Sequence, residues 1–158
     1  MQTFLPYPDF KQSAKSLDNK RLGKQRVEAW QIYQSLTIED YGWKNHPIVK
    51  MWKGYEKALL FYGYEISDEW KSRGFKDIMK QRFMEEIGKK YFTDRLLKSE
   101  LPYWFSIENF HASHRSNLLR KDITWYGQFG WTETPDLEYV WFNPEKVNKD
   151  VSERMPHG

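Results

Sequence analysis

Glu28 lies in the most basic stretch of the chain, close behind Lys20, Arg21, Lys24 and Arg26. A carboxylate among cations suits stabilising a developing positive charge or accepting a proton. The same spacing also makes Lys24 and Glu28 a plain surface pair four residues apart, worth about 0.3 kcal/mol. A second constellation is His111-Ala112-Ser113-His114-Arg115, followed by Arg120 and Lys121. On a helix His111, His114 and Arg115 share a face. Two imidazoles and a guanidinium suit hydrogen bonding to phosphates, although buried, hydrogen-bonded histidines would use the same pattern. A metal reading would recruit Glu108, but it needs ligands from another helix and there is no second Glu-x-x-His, so no metal is expected. His46 precedes Pro47 at a helix start, where it can cap the helix or, with the free amides there, meet a phosphate. Finally, Thr124–Trp131 places four rings, including Trp125 and Tyr126, within eight residues. Rings at that density build a core or form a wedge against a distorted base step.

The missing chemistry narrows the field. With no cysteine, disulfides, thiolate metal sites and cysteine nucleophiles are excluded. No glycine-rich phosphate loop, G-x-S-x-G or H-E-x-x-H is present, and no cofactor is expected. The formal net charge of +3 says little, but its distribution says more. Residues 11–53 carry nine Lys/Arg against four acids, a density suited to a polyanion such as DNA. The aromatic content of 18% adds rings able to stack on bases. No segment approaches the roughly 20 apolar residues that span a bilayer, and the N-terminal residues do not read as a secretory signal. A cytoplasmic monomer is the expectation.

These residues need elements to carry them. Pro6 and Pro8 make the first ten residues an extended arm. Apolar positions at Leu22, Ala29, Ile32, Tyr33 and Leu36 predict a helix over 17–36. Pro47 opens another, expected to run to about 71 on the stripe Ile48, Met51, Tyr55, Leu59, Tyr62 and Ile66, with a bend possible at Gly63. Further helices are expected over 76–91, ending around Gly88, and over 106–121 with Ser106 as N-cap. The rest is a largely irregular aromatic wrap. No hairpin signal or internal repeat occurs. The prediction is an all-α fold, a compact single-domain array of about four helices spanning 1–145, with a flexible tail over 146–158.

In order and spacing, these motifs resemble the pyrimidine-dimer DNA glycosylase family, and its bacterial members in particular. Leu17-Asp18, Leu22 and Arg26-Val27-Glu28-Ala29 fit the family's first long helix, and Gly42-Trp43-Lys44-Asn45-His46-Pro47 fits its His-Pro element. His114-Arg115 with Leu118-Leu119, and Thr124-Trp125-Tyr126 with Phe129-Gly130, fit later segments. The resemblance implies a helical domain whose N-terminal arm brings the chain's own amine to the active site. There the amine attacks the sugar C1′, the base leaves, and elimination through the resulting imine can cut the strand. It places the catalytic carboxylate at Glu28. Because Gln2 is bulky, the nucleophile would be the amine of Met1 itself. Arg21, Lys24, Arg26, His46, His114, Arg115, Lys121, Trp125 and Tyr126 are the expected DNA contacts. The alternative is a helical domain that binds DNA or RNA without catalysis.

Overall fold

The computed structural model describes residues 1–145; the tail expected over 146–158 lies outside them. Seven α-helices follow the arm among the described residues: α1 Phe10–Ser16, α2 Asn19–Thr37, α3 Pro47–Trp52, α4 Glu56–Ser72, α5 Met79–Tyr91, α6 Glu108–Lys121 and α7 Ile123–Tyr126. Short 3-10 turns cover Lys98–Glu100 and Gly127–Phe129. The fold is all-α, with more and shorter helices than the four expected.

The differences have local causes. α1 is an addition: the Asp9 carboxylate accepts from the Gln12 N–H at 2.7 Å, a side-chain cap that starts a helix directly after the Pro8 break. The single helix expected over 47–71 is two. Gly54, at φ +88°, takes the left-handed conformation that glycine adopts freely and turns the chain between α3 and α4. α4 runs without a break through Gly63. A Cβ there would lie 2.2 Å from the Phe83 ring, so the missing side chain lets α5 close onto α4. α5 runs past Gly88 and is closed by Phe92 at φ +54°. Ser106 lies ahead of α6, whose N-cap is Ile107.

α2 packs chiefly on α4, and α4 also takes α1 and α5. Leu22, Ala29 and Ile32 of α2 and Leu59, Tyr62 and Ile66 of α4 belong to one core that also includes Trp52, Trp104 and Phe110. No helix of the described residues is long and apolar enough to cross a membrane.

Two non-helical segments complete the molecule. Residues 130–142 form a strap laid along α6. The Leu137 and Val140 N–H groups donate to Ser116 Oγ and Ser113 Oγ at 3.0 and 3.1 Å, and Asn117 Nδ2 donates to the Leu137 carbonyl. The N-terminal arm does the reverse and enters the core, with residues 2–6 buried. An extended buried segment must find partners for every backbone polar group, and among the described residues no sheet supplies them. Side chains of α2, α4 and α6 take that part.

Candidate active site

Gln25 of α2 is the hub of the arm's anchorage. Its Oε1 accepts from the Phe4 N–H at 3.0 Å and lies 2.6 Å from the Tyr62 hydroxyl. Its Nε2 donates to the Gln2 carbonyl at 2.7 Å and to Glu28 Oε2 at 3.2 Å. One buried amide therefore fixes the arm and orients the carboxylate. Farther along, Leu5 is held at both backbone groups: its N–H donates to His114 Nδ1 at 3.0 Å, and its carbonyl lies 2.7 Å from His111 Nδ1. His111 Nε2 accepts from the Ser106 N–H, so His111 carries its proton on Nδ1 and donates it to Leu5. Arg115 Nη1 donates to the Pro6 carbonyl at 2.8 Å.

This anchorage delivers the arm's first residues to an open cleft of about 370 Å³. Met1, Gln2 and Glu28 line it together with Lys20, Arg21, Lys24, Lys121 and Tyr139. Glu28 Oε2 takes a long hydrogen bond, 3.4 Å, from the Gln2 N–H. Among the described residues Glu28 forms no ion pair, neither with Lys24 nor with the Met1 amine. The cations are equally unspent: apart from Arg21, which pairs with Asp18 at 3.3 Å, none of them has an ion-pair partner among the described residues. Partial burial, then crowding by Arg21, Arg120 and Lys24, holds the Lys121 ammonium below the ordinary lysine value. A cluster of like charges that repel one another is a site for an anion.

His46 stands beside this cleft. Its Nδ1 accepts from the Ile48 N–H at 3.1 Å, capping α3. Burial lowers its pKa first, the positive charge of the Met1 amine lowers it further, and Glu28 pulls the other way. His46 thus senses both Met1 and Glu28.

The expected DNA contacts divide. Arg21, Lys24 and Lys121 line the cleft with Met1 and Glu28. Arg26 instead pairs with buried Asp77 at 2.6 Å and lies over the Trp70 ring. His114 is 0% exposed, with no surface to offer a phosphate, and burial holds its pKa at about 3. Arg115 is spent on Glu108, Glu133 and the arm. Trp125 donates from Nε1 to the Ser16 carbonyl at 2.8 Å, and Tyr126 is buried with its hydroxyl on the Asp18 carboxylate. In this structure the His-His-Arg face and the aromatic run brace the arm and the start of α2. Sequence reasoning missed Gln25, although a signal was present: it interrupts the apolar stripe Leu22, Ala29, Ile32 at a core position. It also missed Tyr139, which no periodicity marks.

A cation-rimmed cleft around one carboxylate, on an all-helical scaffold, defines a protein directed at a polyanion. The family model for pyrimidine dimer DNA glycosylase matches residues 1–82, and the chain belongs to that family. DNA is therefore its substrate, and base excision in DNA repair is its activity. Comparison with curated proteins and with solved structures gives no match. The matched residues include the arm, all of α1 to α4, Glu28 and His46, whereas Lys121 and Tyr139 lie beyond them.

Proposed function

We propose that the cleft is where the damaged base is released, with the Met1 amine as nucleophile and Glu28 as the carboxylate that stabilises the cationic sugar. The observation that carries this reading is that Met1 and Glu28 face one cleft without pairing to each other. A sugar fits between groups that share a wall and leave each other free. Lys20, Arg21, Lys24 and Lys121 would take the flanking phosphates, which fix the register of the strand.

In the proposed reaction the neutral amine forms a bond to C1′ as the N-glycosidic bond breaks. The leaving base takes the electron pair together with the proton that the attacking amine sheds, and in a dimer it stays tethered to its neighbour through the cyclobutane ring. A chain-terminal amine loses its proton far more readily than a lysine does, which suits it to this attack. Positive charge on the sugar peaks beside Glu28, where a fixed carboxylate lowers the barrier. The nitrogen lone pair then expels O4′, which is protonated to a hydroxyl, and the C1′–O4′ bond opens to an iminium. Loss of a C2′ proton then expels the 3′ phosphate, and this elimination is the AP lyase step. Gln25 holds Glu28 Oε2 on one side and the arm on the other, so both groups share one anchor.

Glu28→Gln tests the assignment. The variant should bind dimer-containing DNA at least as tightly as the parent, since a negative charge leaves a cationic cleft. Base release should fall by about 100-fold or more. Scoring glycosidic cleavage, read as free thymine after photoreversal of the dimer, and bound DNA on the same samples separates the two effects, and a variant that cleaves at the parental rate removes Glu28 from the mechanism.

A further inference from the structure

Gln2, the second residue of the arm, is held at its N–H, its carbonyl and its side-chain oxygen. The N–H donates to Glu28 Oε2 at 3.4 Å, the carbonyl accepts from Gln25 Nε2 at 2.7 Å, and Oε1 accepts from the Thr3 N–H at 2.9 Å. The remaining group, Nε2, is buried with no partner. The contact with Thr3 fixes which end of the amide is which, because turned over it would set one donor against another. Leaving a buried donor unpaired costs free energy, and native structures hold few such groups. Tyr33, Ser67, His114 and Glu133 also carry an unpartnered buried polar atom, but none of them lines the cleft. Gln2 does, with only 6% of its surface exposed. Its missing acceptor is one that a molecule entering the cleft can bring.

The substrate's chemistry names that acceptor. C1′ is bonded to N1 of the pyrimidine, and O2 sits on the carbon next to N1, so a group beside the attacking amine approaches both. When the glycosidic bond breaks, the electron pair left on N1 spreads into the adjacent carbonyl. In an ordinary pyrimidine the C5–C6 double bond carries part of that charge on to O4. In a cyclobutane dimer this bond is saturated, and O2 takes the charge. A donor fixed at O2 therefore acts where charge develops, and its effect is largest as the bond breaks. A phosphate, by contrast, is served by the exposed cations Lys20, Lys24 and Lys121 of the same cleft. A single neutral donor in a buried place suits a carbonyl.

We propose that Gln2 Nε2 donates to O2 of the pyrimidine whose glycosidic bond is cut and stabilises that base as it leaves. The proposal rests on the reading of the cleft as the site of base release. It deepens that reading by giving the leaving group its own partner, next in the chain to the proposed nucleophile. As the amine nitrogen bonds to C1′, the C1′–N1 bond breaks and its electron pair passes to N1 and O2. The proton shed by the amine neutralises the base, and Gln2 keeps both of its amide hydrogens throughout.

The test sets a substrate that has a leaving base against one that has none. Gln2→Met keeps the length of the side chain and a bulky second residue, and removes the donor. Its glycosidic cleavage of dimer-containing DNA, read as free thymine after photoreversal, should fall by about 100-fold in single turnover. An abasic duplex presents the sugar without the base, so borohydride should trap Gln2→Met on it at the parental rate. A side chain that only shaped the arm would move both readouts, since both need the amine in place. Gln2→Glu keeps an oxygen for the Thr3 N–H but has no donor. It should lose cleavage at least as far, and it decides the matter if Gln2→Met does not fold. Parental cleavage in the folded variant, or trapping that falls in step with cleavage, overturns the role of Gln2. Peptide mapping of the parent's abasic adduct separates this from the reading beneath it. An adduct away from Met1 sinks the cleft reading and Gln2 with it, whereas an adduct on Met1 beside either overturning result sinks Gln2 alone.

Discussion

Gln25 shows how one residue can hold fold and site together. Its amide serves the arm at Gln2 and Phe4, the core at Tyr62, and the cleft at Glu28. Replacement by leucine keeps the volume but strands the Phe4 N–H and the Gln2 carbonyl in a buried place, each costing about 1–3 kcal/mol, while the Tyr62 hydroxyl keeps the Phe4 carbonyl as its acceptor. Gln25→Leu should therefore lower stability by roughly 3 kcal/mol and lose base release even where it remains folded, because Glu28 and the arm come loose together. Urea unfolding read beside base release checks both halves; parental stability in the variant would show that the hub has no structural weight. The sequence already marked this residue as a polar break in an apolar stripe. It gave no sign that the partner would be the arm, because a contact between residues 4 and 25 has no local periodicity.

At the scale of elements, the arm is held by α6 through two histidines that must be neutral. Burial lowers the pKa of both, His114 to about 3. The folded-state value of His114 lies below the unfolded one, near 6.5. The unfolded chain therefore binds the extra proton between these values, and acid favours unfolding. The stability gained from a neutral His114 is fully present above pH 6.5 and drains away as pH falls towards 3, by roughly 1 kcal/mol per pH unit. Melting temperature measured across that window should fall with acid, and less steeply in His114→Gln, which has no ring to titrate. Equal slopes in the two proteins would refute the clamp. The periodicity of α2, α5 and α6 was legible because each buries one stripe of a 3.6-residue repeat. Three features were not. α1 depends on a single Asp9 cap, the α3–α4 break on the left-handed Gly54, and the close approach at Gly63 on a phenylalanine twenty residues away. A histidine pair on a helix face carries no sign of whether the face meets solvent or a neighbouring segment, which is why the His111 and His114 face read as open to phosphate.

Across the whole molecule, the site exists only because segments distant in sequence converge. The arm supplies Met1, α2 supplies Glu28 and three cations, the end of α6 supplies Lys121, and the strap supplies Tyr139. Folding the helices is thus inseparable from building the cleft, and an N-terminal extension ahead of Met1 would occupy the place of the proposed nucleophile. In the proposed reaction Met1 provides the bond to the sugar. Borohydride added during turnover of a dimer-containing duplex reduces an iminium to a stable amine, and peptide mapping then locates the DNA. A single adduct on the α-nitrogen of Met1 is the expected product. An adduct on Lys20, Lys24 or Lys121, or base release with no adduct at all, would contradict it.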